Sequence, residues 1–180
     1  QGQVGDYQFY PAVMKSQARL TYTQVAEVLT KKIAPKDFVE PSLVPHLQDL
    51  NAVFLALHAA RQQRGAIEFE SSETQLIFDK QGKIARIIPV VRNDAHRLIE
   101  ECMLAANVCA AEFLLKAKHP VLFRVHDHPS PEKLDNLRQF LRDFSLTLEG
   151  GDKPNAKDYA HLMSKIQGRP DASLLQTVLL

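Results

Sequence analysis

Hydrophobic residues between Arg92 and Leu114 recur at steps of three and four positions, which is the spacing of a helix with one apolar face. Asn93 is a favoured N-cap residue, and Asp94 places negative charge in the first turn, where the helix dipole favours it. The pattern predicts a core helix of about six turns. Its apolar face is predicted to comprise Ala95, Leu98, Ile99, Cys102, Met103, Ala106, Cys109, Ala110, Phe113, Leu114 and Ala117.

The same period, together with capping residues, predicts five further helices. Thr21 and Gln24 have the spacing of a capping box, and Gly65 stands where a helix would end in a left-handed residue. One predicted helix starts at Thr21 and another starts at Ser130. The other three run from Ser42 to about Arg64, from about Asn155 to Gln167, and from Asp171 to Leu180. The helix from Ser42 is expected to bury Leu43, Leu47, Leu50, Phe54 and Leu57, and the helix from Ser130 to bury Leu134, Leu137, Leu141 and Phe144.

Short apolar or alternating segments between these helices predict strands. They are Val4–Met14, Ala66–Phe69, Thr74–Phe78, Lys83–Val91 and Val121–His126, with a turn at residues 79–82. The order of elements predicts a mixed α/β (α+β) fold in which helices pack on a mixed or antiparallel sheet. No repeat or linker divides the chain, so residues 1–180 are predicted to be one α/β piece.

The composition excludes some classes of protein. Of the 180 residues, 45% are hydrophobic and 24% charged, which is neither a disordered composition nor a membrane-spanning one. We therefore expect no membrane partner. The net charge of +1 argues neither for nor against nucleic acid. Cys102 and Cys109 are separated by a helix rise of about 10 Å, too far to bridge, and free thiols favour the cytoplasm.

Two pairs of neighbouring side chains on the central helix admit two readings. His96 with Glu100, and Arg97 with Glu101, have the spacing of helix-surface pairs. Alternatively, one carboxylate points into a ligand channel. The helical period places Glu100 at the border of the apolar face and Glu101 further towards solvent, so Glu100 is the better candidate.

Other candidate chemistry is sparse. In the string His126-Asp127-His128, the two histidines are alternate residues and could chelate a metal from one strand face. No third ligand stands at a characteristic spacing, so the end of a strand entering a loop explains the string better than a metal site does. P-loop, dinucleotide-binding, GxSxG and HExxH motifs are absent. Tyr22 and Phe69 are either core residues or rings that stack on bases or ribose.

Six blocks of the chain, taken together, carry a family resemblance. They are FYPAVMKSQARLTYTQV (9–25), RGAIEFES (64–71), RNDAHRLIEECMLAANVCAAEFL (92–114), FRVHDHPSPEKL (123–134), GGDKPNAKDY (150–159) and RPDASLLQTVLL (169–180). In order and spacing they resemble the RNB domain of the ribonuclease II/ribonuclease R exoribonucleases. The HDHPSPE and GGDKP strings favour the ribonuclease R branch.

The resemblance implies an activity and its partners. Members of the family are processive 3′→5′ exoribonucleases that hydrolyse single-stranded RNA to nucleoside 5′-monophosphates. Their chemistry is magnesium-assisted, with two metal ions. The chain is thereby expected to be part of a bacterial, cytoplasmic enzyme whose substrate is RNA.

Three residues fall on functional positions of the family. Tyr22, in ARLTY, and Glu100, in IEEC, match residues that distinguish ribose from deoxyribose. Phe69, in AIEF, matches a phenylalanine that stacks on the terminal bases. These roles make physical sense, since a phenol and a carboxylate can both bond a 2′-hydroxyl, and a ring can clamp any base.

Two family motifs are missing. The metal-binding aspartate cluster belongs upstream of residue 1, and the essential arginine of a Thr-Ser-Pro-Ile-Arg motif belongs downstream of residue 180. The only spaced aspartates resembling a cluster are Asp127, Asp135 and Asp143. Residues 1–180 are therefore expected to be a C-terminal-central segment of an RNB domain, with no catalytic residue and no metal site of its own, and inactive alone. Severed edges would favour self-association. The alternative is a non-catalytic RNA- or protein-binding module derived from the same fold.

Overall fold

The computed structural model describes residues 2–31, 40–68, 74–90, 92–125 and 127–179. Within them the elements are α1 (Tyr22–Lys31), a 3₁₀ turn (Pro41–Leu43), α2 (Val44–Gln63), β1 (Thr74–Phe78), β2 (Ile84–Pro89), α3 (Asp94–Lys116), α4 (Pro131–Asp143), α5 (Ala156–Ile166) and α6 (Ala172–Leu179). The predicted mixed α/β class and its antiparallel strand pairing are confirmed. None of the described helices is long and apolar enough to cross a membrane.

The chain forms two compact units, the first comprising residues Gln1–Ala60 and Val90–Leu122. It contains α1, most of α2, and α3. Helix α1 packs on α3 and buries Val28 completely, while α2 buries Phe54. Of the residues predicted for the buried side of α2, Phe54 is buried and the other four are partly protected, so the predicted face is correct.

Helix α3 begins as its sequence predicts. The Asn93 side chain accepts hydrogen bonds from the backbone N–H groups of Ala95 and His96, at 3.1 and 3.4 Å. Ala95, Leu98 and Cys109 are buried. The predicted apolar face is wider than the face that is covered, because Ile99, Met103, Ala106 and Phe113 are exposed.

The second unit comprises residues Arg61–Pro89 and Phe123–Leu180. Its core is built by α4, α5 and α6 and by the segment that follows α4. The buried side chains are Leu134, Leu141, Leu146, Leu148, Leu162, Met163, Ile166 and Leu175. Leu137 and Phe144 pack against this core, so the predicted stripe of α4 is confirmed.

Local hydrogen bonds stabilise two turns in the second unit. Gly65 ends α2 at φ 81°, and its N–H donates to the Gln62 carbonyl at 2.9 Å, as predicted for a helix terminus. Between β1 and β2, the Asp79 carboxylate accepts bonds from the N–H groups of Gln81 and Lys83, both at 2.9 Å. The predicted hairpin therefore forms, with Leu76 opposite Ile87.

Three strand predictions are wrong for the described residues. Residues 4–14, 66–68 and 121–125 have no regular secondary structure, whereas Phe69 and His126, the last residues of two of these segments, lie outside the described part. A strand requires a hydrogen-bonded neighbour, and these segments have none in the described structure. The N-terminal segment accordingly supplies no sheet edge for self-association.

Candidate nucleic-acid site at the start of helix α3

Tyr22 is held at the first position of α1 by the capping box that the sequence predicts. The Thr21 N–H donates to Gln24 Oε1 at 2.9 Å, and the Gln24 N–H donates to Thr21 Oγ1 at 3.3 Å. Tyr22 as a whole is 45% exposed, so part of its surface is available to a ligand. Of its two readings, core packing is excluded by this exposure.

The Tyr22 ring stacks on the imidazole of His96. The ring centroids lie 3.9 Å apart, with an interplanar angle of 21°. His96 is the third residue of α3, and its Nδ1 lies 2.9 Å from Asn93 Oδ1 and 3.3 Å from the Asn93 backbone nitrogen. The cap of α3 thus fixes the imidazole, and the imidazole in turn supports the tyrosine.

Glu100 follows His96 by one turn on α3, so the two side chains share a face of the helix. Arg92 Nη2 donates a hydrogen bond to Glu100 Oε2. The Glu100 side chain remains 37% exposed and that of Arg92 40% exposed. The arginine therefore orients a carboxylate that a ligand can still reach.

A cavity of about 280 Å³ opens beside this pair in the first unit. Its walls include Leu29 and Thr30 of α1, Asn51 of α2, and Arg92, Asp94 and Arg97 at the start of α3. Arg97 donates a hydrogen bond to Asp94 at 3.1 Å. The helix-surface pair that the spacing of Arg97 and Glu101 suggests is therefore replaced by a pair with Asp94.

The prediction for Glu101 is wrong. The helical period of α3 predicts that Glu101 faces solvent. Glu101 is in fact only 4% exposed, and its Oε1 lies 3.4 Å from His58 Nδ1. The His58 ring packs near Phe54 of the same helix, with centroids 5.5 Å apart. His58 of α2 thus contacts this side of α3, which the periodicity of α3 alone could not indicate.

Burial also acts on the neighbouring thiol. Desolvation, and then the charge of Glu101, raise the pKa of Cys102 above its ordinary value. Cys102 and Cys109 are both free, as predicted. The raised pKa keeps the Cys102 thiol protonated and poorly nucleophilic near neutral pH.

Two candidates fall outside this geometry. Phe69 lies outside the described residues, as does His126 of the HDH string. In the part of the chain that is described, no group of three His, Cys, Asp or Glu side chains is arranged to hold a metal ion. Tyr22 contacts His96, and His96 lies one turn before Glu100 on α3. The sequence does not predict the contact of Tyr22 with His96, because no local pattern links residues so far apart.

The chain is similar to known proteins over its whole length. The RNB domain family matches residues 1–180. Ribonuclease R of Vibrio cholerae is 50% identical over 179 residues, and ribonuclease R of Escherichia coli 48% identical over 179; each match covers 99% of this chain and 22% of the relative. The chain thus spans about a fifth of the length of these relatives.

Solved structures give the same result for the fold. A structure described as Mycoplasma genitalium RNase R in complex with ribose methylated single-stranded RNA superposes with a TM-score of 0.79 at 25% identity. The match covers 88% of this chain and 25% of that chain. A complex of the same protein with double-stranded RNA gives the same TM-score.

Proposed function

Because the chain belongs to the RNB domain family along its whole length, we propose that it is a segment of a processive 3′→5′ exoribonuclease. The full protein would hydrolyse single-stranded RNA to nucleoside 5′-monophosphates. The full-length family match carries the proposal. It is supported by the sequence identity to ribonuclease R proteins and by the structural similarity to an RNase R in complex with ribose methylated single-stranded RNA.

Within that enzyme, the proposed role of this segment is recognition of the RNA sugar. Tyr22 and Glu100 are both accessible, and His96 connects them, since it stacks on the first and shares a helix face with the second. A phenol and a carboxylate can each bond a ribose 2′-hydroxyl, which DNA lacks. For Phe69 we propose stacking on the terminal bases, from the sequence resemblance alone.

Glu100 is a better sugar ligand than Glu101 on physical grounds. A carboxylate that recognises a ligand must be able to replace its contacts with water or with a mobile side chain by contacts with the ligand. Glu100 is 37% exposed and paired with a half-exposed arginine, whereas Glu101 is 4% exposed beside His58.

The metal chemistry is assigned to other parts of the protein. The described residues do not fit a magnesium site, since they contain no cluster of three suitable ligands. We propose that residues 1–180 form a C-terminal-central segment of the RNB domain. The Mg²⁺-binding aspartates and the essential arginine would lie outside this segment, which would be inactive alone.

The proposed location is the bacterial cytoplasm. The relatives named above are bacterial, and the two free thiols suit a reducing compartment.

A non-catalytic RNA- or protein-binding module is the second candidate. The lack of a metal-ligand cluster in the described residues favours it. The gene distinguishes the two, because the enzyme requires coding sequence for an aspartate cluster upstream and an arginine motif downstream.

The decisive experiment uses the full-length protein encoded by that gene. It is incubated with magnesium and 5′-labelled single-stranded RNA or DNA of the same sequence. Stepwise shortening of the RNA alone from its 3′ end, abolished by EDTA, is the expected result. A full-length protein that leaves both strands intact overturns the exoribonuclease proposal and supports the binding module.

A further inference from the structure

His96 is constrained on two sides by different parts of the first unit. Its Nδ1 lies within hydrogen-bonding distance of both the side chain and the backbone of Asn93, at 2.9 and 3.3 Å. Its ring face lies against Tyr22, with the two rings inclined by only 21°. An imidazole fixed in this way provides a rigid surface for an exposed aromatic ring.

Tyr22 needs such support. A side chain that is 45% exposed at the start of a helix ordinarily exchanges between rotamers. To discriminate a 2′-hydroxyl from a hydrogen, the phenol oxygen must stay in one place, because a displacement of about 1 Å is enough to lose much of a contact's effect. Stacking on a fixed ring restricts that displacement.

We propose that His96 is a positioning residue that determines sugar specificity by holding the phenol of Tyr22 towards the ribose. This inference rests on the proposed function, and it adds a residue to the pair suggested by the family resemblance. His96 contacts the tyrosine and not the RNA in this assignment. Its location one turn before Glu100 keeps the supported phenol on the helix face that carries the carboxylate.

The test compares two substitutions in the full-length protein. His96→Phe and His96→Ala both remove the contact with the Asn93 cap, but only phenylalanine keeps a flat ring under Tyr22. Tyr22→Ala is the positive control. His119→Ala is the matched negative control, since His119 is an exposed histidine just beyond the far end of α3.

Two readouts are measured for each variant. The first is kcat/KM for 5′-labelled RNA relative to the same oligomer with 2′-deoxy residues at its 3′ end. The second is the ratio of Kd values for the two oligomers in EDTA, which does not depend on turnover. Thermal unfolding of each variant reports any loss of the helix cap.

We expect His96→Ala to reduce ribose selectivity about 3- to 10-fold, the factor that corresponds to loss of an aromatic pair. His96→Phe should retain selectivity within about twofold even though it loses the cap contact and some thermal stability, whereas His96→Ala loses both the cap contact and the ring stack. His119→Ala should match the wild type.

Three outcomes would overturn the inference. If Tyr22→Ala lowers selectivity but His96→Ala does not, the tyrosine needs no support. If His96→Phe and His96→Ala lose selectivity equally, the histidine acts only through the helix cap. If Tyr22→Ala leaves the selectivity unchanged, His96 has no residue to act through. A wild-type protein that neither degrades nor prefers RNA overturns the proposed function itself, which is a distinguishable result.

Discussion

The carboxylate of Glu101 lies 3.4 Å from Nδ1 of His58, so a nearly buried acid on α3 contacts a partly buried histidine on α2. The preceding residue, Glu100, is 37% exposed and pairs with Arg92. Two identical residues, adjacent in the chain, therefore have different environments. One joins two helices, and the other remains accessible to a ligand.

This difference predicts unequal effects of the same substitution on the free energy of unfolding. Glu101→Gln should lower the free energy of unfolding by about 1 to 3 kcal/mol, because it weakens a charged hydrogen bond in a buried setting. Glu100→Gln should change it by less than about 0.5 kcal/mol, as is usual at exposed positions. Urea unfolding of the 180-residue chain measures both. Equal losses, or a larger loss for Glu100→Gln, would contradict the assignment.

Sugar selectivity gives a second prediction. In the full-length protein, Tyr22→Ala combined with Glu100→Ala should relax discrimination against DNA by about tenfold, since the variant lacks both side chains that we propose contact the 2′-hydroxyl. RNA cleavage should slow by less than this factor. Glu112→Ala is the control, because Glu112 is an exposed acid on the same helix that pairs with Lys116. Unchanged RNA/DNA selectivity in the double variant counts against both roles.

The helices were predictable because their signals are local. Asn93, Thr21 and Asn155 cap helices within three residues of themselves, and each cap is present in the structure. The apolar stripe predicted for α4 is likewise correct, because its apolar residues all belong to or pack against the same core.

Strands and side-chain environments depend on residues distant in sequence. Residues 4–14 alternate as a strand would, but no described neighbour pairs with them, and β propensity is realised only in such pairing. The burial of Glu101 depends on His58, 43 residues away. The stack of Tyr22 on His96 requires α1 to pack on α3. None of these relationships has a local sequence signal.

An ion pair at the start of α6 predicts a dependence on pH. Arg169 donates from Nε and Nη2 to the two carboxylate oxygens of Asp171, both at 2.8 Å. These hydrogen bonds hold the pKa of Asp171 below its ordinary value. A carboxyl with a lowered pKa in the folded state stabilises the fold above its unfolded pKa of about 3.9, and this contribution is lost as the pH falls through the folded value.

Asp171→Asn should therefore lower the unfolding midpoint at pH 7, and the difference from the wild type should shrink as the pH falls below about 3.9. Thermal unfolding of both proteins between neutral and acidic pH measures the effect. Asp152→Asn, at an exposed position between α4 and α5, serves as the control. A difference that persists unchanged at the lowest pH would show that Asp171 acts by some means other than its charge.

The exposed side of α3 predicts self-association of the 180-residue chain. Leu104, Val108 and Leu115 recur at steps of four and seven on one side of the helix and are 40%, 55% and 52% exposed. A helix with apolar residues on all sides is typical of one buried in a larger protein. We expect the chain alone to form dimers or larger species through this side.

Light scattering during gel filtration, over a wide range of concentrations, tests this expectation. Leu104→Lys with Val108→Glu should shift the chain to monomer, whereas Asn107→Glu adds charge at an exposed polar position of the same helix and should not. A wild-type chain that stays monomeric throughout would rule out this surface as a self-association site.

The last prediction concerns catalysis by the 180-residue chain. It should not shorten RNA, because no described cluster of side chains could hold the metal ions that assist attack of water on the phosphodiester. Electron paramagnetic resonance of Mn²⁺, used in place of Mg²⁺, should show only the spectrum of the hydrated ion when the chain is added. The full-length protein should change that spectrum and degrade the same 5′-labelled RNA. Trimming of RNA by the pure chain that EDTA abolishes and ribonuclease inhibitors do not would overturn the prediction, since it would require a metal site within these 180 residues.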